Sequence, residues 1–500
     1  MQTRKQDKDR GSVLNKSLWH METQLQKRER LTEDLRTETL IIGGGFVGIL
    51  TAYLLGKRGV DCVVLEANRV GNGQSGNTTA KITVLHGLKY AHVRRVFGED
   101  GARQYAEANA RAVRRYRELV GDLHIGCDWR DCPSYLYSEK PENSLGAELE
   151  ALLGAGADAY LVAKTELPFP VAGAIRVDEQ AQFQPLKFLS ALSDRVTVYE
   201  NSRVLTVKGN RAETDGGSVT AENIVFACHF PFVNKPGYYF ARMHQSRSYV
   251  MAFSGAPVLD GMYASADKGG CALRSAGDTL LISGAGHRTG ENREGGRYDF
   301  LSDFAAHWFP GAREVARWSA EDCMPIDAVP YIGRFSSSVE NWYVATGFGK
   351  WGMTSSMVAA EILADRLSGM EHPDAALFSP QRFKAAATDD LLSEGGTAIK
   401  GLAKAWLMPA LEEARDLPAG HGGIVEYEGR KVGVYRHEDG TVYAVDAKCP
   451  HLGCQLSWNP DEKSWDCPCH GSRFSYTGQL LDGPAQTDTE AKIRQPAALL

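Results

Sequence analysis

Glu38-Thr-Leu-Ile-Ile42-Gly43-Gly44-Gly45-Phe46-Val47-Gly48-Ile49 decides the fold of most of this chain. Glu38 to Ile42 reads as a buried strand, and the apolar pattern from Ile49 to Leu55 reads as a helix. Between them stands G-x-G-x-x-G. A second strand, Asp61 to Leu65, follows and ends at Glu66. Strand, glycine turn, helix, strand and acid within about 30 residues make a dinucleotide-binding unit. Gly43 allows the tight turn, Gly45 lets the backbone approach a pyrophosphate, and Gly48 packs helix on sheet. The pyrophosphate would sit on the helix N-terminus, where free N–H groups and the dipole favour anions. Glu66 would accept the ribose hydroxyls. The fingerprint alone does not choose between FAD and NAD. A glycine-rich turn without a ligand is the bland alternative.

Further along comes Arg69-Val-Gly71-Asn-Gly73-Gln-Ser75-Gly76-Asn-Thr78-Thr79. Late in the chain stand Asp327-Ala-Val-Pro330-Tyr-Ile-Gly333, a strand from Trp342 to Ala345, and Thr346-Gly347-Phe-Gly349-Lys350-Trp351-Gly352-Met353-Thr354. An apolar helix, Ser355 to Leu367, follows. Together these segments resemble the D-amino-acid oxidase and glycine oxidase superfamily of FAD enzymes, over roughly residues 37 to 375. The resemblance implies that Ser75, Gly76, Thr78 and Thr79 lie along the diphosphate and the ring. It implies that Gly347, Gly349, Gly352, Met353 and Thr354 open a helix whose N-terminus faces the flavin pyrimidine. A positive dipole there favours the charge that reduced flavin gathers.

The middle of the chain fits the same plan. Val196 to Tyr199, Val204 to Lys208 and Ile224 to Ala227 read as strands, and Asp215-Gly216 marks a hairpin. By resemblance the Val204 backbone touches adenine, while Gln182 to Pro185 and Arg242 to Met262 belong to an antiparallel substrate sheet. Gly154-Ala-Gly156 also fits a loose fingerprint, but it follows a helical run and reads as a helix end. With no second dinucleotide unit, little supports a NAD(P)H site. Lys350 stands within the flavin-facing turn, where it either stabilises anionic flavin, activates oxygen or points to solvent. Arg242, Arg247 and Tyr249 fall where relatives place substrate contacts, and an arginine suits a carboxylate. Cys323 is read as a buried thiol, with a covalent flavin bond as the sharper alternative. His229 and His244 read as structural.

The C-terminal region carries a second chemistry. Cys449-Pro-His451-Leu-Gly-Cys454 is followed, after twelve residues, by Cys467-Pro-Cys469-His470-Gly-Ser472. Cys449, His451, Cys467 and His470 form two Cys–His pairs on two loops. That set suits a [2Fe–2S] centre with thiolates on one iron and imidazoles on the other. A zinc site is the bland competitor. Gly453 and Gly471 let the loops turn. Cys454 and Cys469 are left over, one on each loop, and could form a disulfide clamping them together. The stretch resembles the Rieske iron–sulfur family over the last 85 residues or so, including Gly483-Pro484-Ala485, which in that family covers the cluster. By resemblance Ser472 hydrogen-bonds a cluster sulfur, as in quinol-oxidising members. Where those usually carry tyrosine, Phe474 stands here, which implies a potential below the high end of the family's window of roughly −150 to +300 mV.

The remaining sequence sets bounds. Two or three domains are expected from 500 residues. A net charge of −6 gives no reason to expect nucleic acid. No apolar run is long enough to span a membrane, and the opening residues lack a secretory h-region. The six cysteines outside the cluster boxes show no framework spacing and read as reduced, cytoplasmic thiols, in tension with the disulfide. The expected architecture is therefore an α/β FAD-binding (Rossmann-like, glutathione-reductase-type) domain with an interleaved α+β antiparallel-sheet substrate domain, and a C-terminal all-β Rieske domain. The bounds are a polar arm over 1–36 that docks through Trp19, the oxidoreductase over 37–377, a linker over 378–417, and the Rieske domain over 418–500. Within the linker, Ile399 to Ala414 has an apolar face of Leu402, Trp406, Leu407, Ala410 and Leu411. It reads as a connector, with peripheral membrane contact as the alternative. The resemblances imply FAD and [2Fe–2S] as cofactors, an amine or amino acid as substrate, and a one-electron carrier or quinone as acceptor. Inward electron flow, as in a reductase or monooxygenase, and a non-catalytic redox sensor are the other readings.

Overall fold

The computed structural model describes residues 16–141, 145–382 and 417–489. The chain forms two compact units. Of the described residues, the first comprises 16–141, 145–237, 248–285 and 298–382, and the second 238–247, 286–297 and 417–489. Two short central segments thus group with the C-terminal unit, although the sequence reading placed them in the oxidoreductase. The linker helix expected over Ile399 to Ala414 lies outside the described residues.

The first unit is built around β1 (Leu35–Ile42), the strand of the opening motif. It runs parallel to β2 (Cys62–Leu65) on one side and β10 (Ser218–Phe226) on the other. Covered on both faces, it needs an unbroken apolar run, which Leu40-Ile-Ile42 supplies. The sheet extends through β7 (Thr197–Tyr199) beyond β2. Beyond β10 come β17 (Val339–Thr346), parallel, and β16 (Tyr331–Ser336), antiparallel. A hairpin of β8 (Thr206–Lys208) and β9 (Arg211–Glu213) leans on β10, and the turn from β9 into β10 at Asp215-Gly216 is closed by Thr214 N–H to Gly217 O at 2.9 Å. The strand expected from Val204 starts only at Thr206.

α1 (Phe46–Lys57) follows β1 directly. Every residue from Phe46 to Leu55 is buried, so the helix is apolar all round rather than striped. It packs on α3 (Gly352–Leu367), and both belong to one core. Between them in sequence lies α2 (Tyr90–Asp122), broken at Gly98. The loose motif at Gly154 is a helix end: the helix Leu145–Gly154 stops there, and Gly156 takes a φ of 82°.

The second sheet runs β15 (Arg313–Pro325), β11 (Met243–Ser254), β14 (Thr279–Arg288), β13 (Ala272–Ala276), β12 (Met262–Ser265), β4 (Arg130–Ser138), β6 (Gly173–Gln182) and β3 (Lys81–Ile82). β5 (Ala159–Val162) pairs with β6. The pairing of β12 with β4 is parallel, so this sheet is not wholly antiparallel as expected. Its core includes Tyr135 stacked on Tyr263 at 4.6 Å, a pair worth about 1 kcal/mol beyond its burial. The N-terminal arm docks on this unit. Trp19 is buried, its Nε1 donates to Thr78 O at 2.6 Å, and Arg274 lies over its ring.

The second unit contains an antiparallel sheet of β18 (Gly422–Tyr427), β19 (Arg430–Arg436) and β20 (Val442–Asp446). A meander of β21 (Ser457–Asn459), β22 (Ser464–Asp466), β23 (Arg473–Ser475) and β24 (Leu480–Asp482) faces the same core. Tyr435, Trp458, Trp465 and Phe474 fill that core together with the cluster-box cysteines.

Candidate flavin and cluster sites

At the glycine turn the backbone leaves no room for side chains. Gly43 has a φ of 117°, and a Cβ on it would lie 2.5 Å from Ala227 O. A Cβ on Gly48 would lie 1.9 Å from Gly43 O. Gly45 caps α1, and a Cβ there would meet Ser75 Oγ at 2.8 Å. Ser75 Oγ accepts from Phe46 N–H at 3.0 Å, so the Ser75-Gly76 segment abuts the amide end of α1. Glu66 closes the turn, accepting from Gly44 N–H at 2.7 Å and from Asn68 N–H at 2.8 Å. Burial raises the Glu66 carboxyl, and those two amides pull it back only in part. Gly76 is buried, its carbonyl accepting from Ser17 Oγ at 2.6 Å. Thr78 Oγ1 accepts from Ala80 N–H, and Thr79 Oγ1 from Lys81 Nζ at 3.1 Å. Val204 is buried in the loop before β8.

The second glycine turn joins β17 to α3. Gly347, Gly349 and Lys350 all take positive φ, at 77°, 55° and 75°. Trp351 caps α3 without a side-chain hydrogen bond, which leaves the first amides of the helix for other acceptors. Met353 and Thr354 are buried in its first turn. Lys350 is exposed, and its Nζ donates to Ser248 Oγ at 3.2 Å. Gly349 N–H donates to Cys323 O at 3.0 Å. Cys323 is not alone: its Sγ lies 3.4 Å from His229 Nε2, and Thr346 Oγ1 donates to His229 O. Three residues read separately in the sequence thus meet beside this turn.

The structure adds a cluster that sequence reasoning missed. His86 stacks on Trp351 at 4.8 Å, and its Nε2 lies 2.8 Å from Thr83 O and 3.1 Å from Thr354 Oγ1. The carbonyl fixes Nε2 as the protonated nitrogen, so Nδ1 accepts from Tyr105 Oη at 2.8 Å. Burial holds His86 well below the usual range and therefore neutral. Lys89 lies three residues on. The signal was a lysine inside the apolar run Val84-Leu-His-Gly-Leu-Lys-Tyr90. On β15 Asp322 is raised by burial, against the pull of Lys350, His229 and Lys89.

The three expected substrate contacts have the following surroundings. Arg247 is fully buried in the second unit, with its Nε 3.7 Å from Asp466 Oδ2, so its charge is already matched inside that unit. Tyr249 is fully buried and meets Tyr298 edge-on at 5.0 Å. Arg242 belongs to the second unit as well, its guanidinium 5.4 Å from the Tyr239 ring centroid.

The two cluster loops repeat one backbone device. Gly453 N–H donates to Cys449 O at 2.9 Å, and Gly471 N–H to Cys467 O at 3.0 Å. Gly453 and Gly471 take φ of 77° and 81°, which turns each loop back on its cysteine. Cys449 and Cys467 are buried with their thiols in hydrogen-bond contact. That contact and the Ser472 hydroxyl lower Cys449, while the same contact and burial raise Cys467, so one proton is shared out unequally between the pair. The His451 and His470 rings meet edge-on at 5.0 Å. Burial holds them down to about 4 and about 3, so both are neutral imidazoles at pH 7. Cys454 and Cys469 are joined by a disulfide between the loops. The sulfurs of Cys454, Cys467 and Cys469 lie within 4.8 Å of one another, but bonded sulfurs have no thiolate to give. Outside the disulfide, the two loops therefore offer two thiols and two neutral imidazoles as ligands, which fits a Rieske centre. Ser472 Oγ accepts from Ala485 N–H at 3.0 Å, tying the Gly483-Pro484-Ala485 loop to this site. No described helix is long and apolar enough to cross a membrane.

Comparison with known proteins gives the same two modules. The family described as FAD dependent oxidoreductase (DAO) matches residues 38–366, and the Rieske [2Fe-2S] domain matches 408–494. The Bacillus subtilis protein YhfW, whose name describes a Rieske 2Fe-2S iron-sulfur protein, is 37% identical over 93% of this chain and 95% of its own. Gamma-glutamylputrescine oxidoreductase of Escherichia coli is 23% identical over 68% of this chain and 86% of its own. The crystal structure of glycine oxidase from Geobacillus kaustophilus shares the fold at a TM-score of 0.60 and 20% identity, covering 70% of this chain and 99% of that one. The chain belongs to the DAO family of FAD-dependent oxidoreductases and carries a C-terminal Rieske [2Fe-2S] domain.

Proposed function

We propose that this chain is a dehydrogenase of an amine or amino acid that passes electrons singly through its Rieske centre to a one-electron carrier or a quinone. The observation that carries the reading is the union, in one chain, of an FAD-dependent oxidoreductase with a full two-Cys, two-His cluster box. Bound FAD supplies a two-electron acceptor for a C–H bond beside nitrogen, and a [2Fe–2S] centre exchanges electrons one at a time. An enzyme that returned its electrons straight to oxygen would have no use for such a centre. The names of two relatives, gamma-glutamylputrescine oxidoreductase and glycine oxidase, support a nitrogen-bearing small molecule as substrate.

The residues divide the work as follows. Gly43, Gly45 and Gly48 admit the pyrophosphate to the amide end of α1, with Glu66 for the ribose and Val204 beside adenine. Ser75, Gly76, Thr78 and Thr79 border the stretch towards the ring, and Gly347 to Thr354 present the amide end of α3 to its pyrimidine. Lys350 is the exposed cation for an anionic substrate group. Asp322, raised by burial, is suited to take the proton of a substrate ammonium. Cys449 and Cys467 hold one iron, and His451 and His470 the other. The cysteines outside the boxes are not disulfide-bonded, which supports a reducing, cytoplasmic setting.

An anaerobic titration tests this reading. Amines, amino acids and polyamines are added to the protein while flavin absorbance and the EPR signal of the reduced cluster are followed. Flavin bleaching followed by a rising cluster signal is the expected result. If no compound bleaches the flavin, but a reduced ferredoxin or dithionite fills first the cluster and then the flavin, the reductase or monooxygenase reading replaces it.

A further inference from the structure

Lys89 is a buried cation with nothing to bind among the described residues. It is 8% exposed, and its Nζ has no hydrogen-bond partner there. The three carboxylates around it are otherwise engaged. Asp327 is held bidentately by Arg382, at 2.8 Å on each oxygen. Glu148 accepts from Tyr90 N–H and Ala91 N–H at 2.7 and 2.9 Å. Asp322 also faces Lys350 and His229. The Tyr105 ring lies 5.7 Å from Nζ, and its hydroxyl is used by His86. Leaving a buried ammonium unmatched is costly, and proteins keep such groups where a ligand completes them.

The direction of Lys89 is given by Gly349. A Cβ built on Gly349 would lie 3.3 Å from Nζ, with Pro325 and Met324 as the next neighbours. The amine therefore sits against the turn that opens α3. His86 holds the same turn in place through the Trp351 stack and Thr354. Two independent features meet at one spot: an uncapped helix N-terminus and a buried, unmatched ammonium, both of which attract negative charge.

We infer that Lys89 is a catalytic residue that donates to the anionic edge of FAD held on the Gly347–Gly352 turn, favouring its reduced, negatively charged form. This rests on the proposed placement of the flavin pyrimidine at that turn. Burial lowers the amine to about 8 despite Asp327, Asp322 and Glu148, so the charge is loosely held until an anion arrives. The same chemistry would serve a substrate carboxylate, and the test separates the two sources.

The test uses full-length protein carrying Lys89→Met, Lys89→Arg or Gly349→Ala. FAD content, flavin potential, cluster potential and sulfite affinity are measured for each. Sulfite adds its lone pair to flavin N5, forming an S–N bond and placing the negative charge on the pyrimidine, so its affinity reads anion stabilisation without any substrate. A charge-assisted hydrogen bond makes a loss of about tenfold or more in sulfite affinity the expected result for Lys89→Met. The flavin potential should fall while the cluster potential stays, and Lys89→Arg should recover most of both flavin readouts. Should Lys89→Met fail to hold FAD, Lys89→Arg decides: sulfite affinity near that of the wild type supports the inference, and a tenfold loss with the charge kept overturns it. Unchanged sulfite affinity and potential in an FAD-loaded Lys89→Met overturn it too, and weakened binding of benzoate would then assign the lysine to a carboxylate. If Gly349→Ala moves the flavin readouts and Lys89→Met does not, only the lysine inference fails. If neither moves them, the placement of the flavin at this turn fails as well.

Discussion

Gln245 Nε2 donates to the main-chain carbonyl of His470 at 2.7 Å. The contact lies within the second unit, where residues 238–247 and 286–297 wall the second cluster loop. Phe240 meets the His470 ring edge-on at 5.7 Å, and a Cβ on Gly471 would strike Gln245 Cδ at 2.5 Å. Asn292 Nδ2 donates to Asn459 and to Asp461, at 3.0 and 2.7 Å. The loop that carries two expected cluster ligands is thus completed by residues from far earlier in the sequence, Gln245 standing 225 positions before His470.

Gln245→Leu should therefore loosen the cluster while leaving flavin binding intact. The substitution leaves a buried carbonyl without its donor, at a cost of about 1–3 kcal/mol. Iron loss to a chelator should speed up, and the EPR signal of the reduced cluster should broaden. Iron retention equal to the wild type would show that the bond does not support the loop.

Arg247 and Asp466 make a second test of that wall. Both are essentially inaccessible, and Asp466 also accepts from Asn459 Nδ2 at 2.9 Å and Ser464 Oγ at 2.8 Å. Arg473 Nε lies 3.5 Å from the same carboxylate. Arg247→Met should cost about 3 kcal/mol in urea unfolding, because it takes a guanidinium away from a buried carboxylate. Arg247→Met with Asp466→Asn should recover most of that, since removing both charges removes the mismatch. A double variant as unstable as the single one would mean that Arg247 acts by packing rather than charge.

What the sequence displayed, and what it hid, follows from the range of each signal. The turn at Gly43, the helix after it and the two Cys–His loops are local, because the glycines and ligands that make them stand within a few residues of one another. The Cys454–Cys469 bridge was legible because only two box cysteines lacked another role. The contact of Cys323 with His229, the burial of Arg247 against Asp466 and the reach of Lys89 to Gly349 were not legible. Each depends on which strand lies beside which, and sheet order leaves no mark in local spacing. Arg247 looked like a substrate contact because it falls where relatives place such groups, and an arginine suits a carboxylate. Here the inward position meets a carboxylate.

Lys89 gives a prediction about stability with its sign fixed. Its folded value of about 8 lies below the ordinary lysine value of 10.5, because burial disfavours the charged form. The folded state thus bears the whole penalty below pH 8. It sheds the penalty as the pH rises from about 8 to 10.5, where the folded amine is neutral and the unfolded one is still charged. FAD-free wild type should gain on the order of 3 kcal/mol across that window. Lys89→Met should lack this gain and be the more stable protein at pH 7. Lys81, lowered to about 7 by burial, adds a rise of its own in both proteins, so the difference between them isolates Lys89. Identical pH profiles would show that the amine is not buried charged in the folded state.

The cluster potential turns on Ser472 and Phe474. Ser472 is fully buried. Its hydroxyl accepts from Ala485 N–H and is directed at Cys449, so it ties the Gly-Pro loop to a ligand sulfur. Ser472→Ala removes a hydrogen bond that is stronger to the more negative, reduced centre. At about 1 kcal/mol of difference between the two states, the potential should fall by on the order of 40 mV for a one-electron couple. Phe474 is fully buried in β23 opposite Trp465 and has no hydroxyl to offer. Phe474→Tyr should raise the potential by a similar amount, because a phenol placed there must find an acceptor and the sulfur of the nearby ligand loop is one. Redox titration of both variants against the wild type checks the pair. A wild-type potential at the top of the range of about −150 to +300 mV, or no change in either variant, would mean that the cluster is tuned by something other than these two positions.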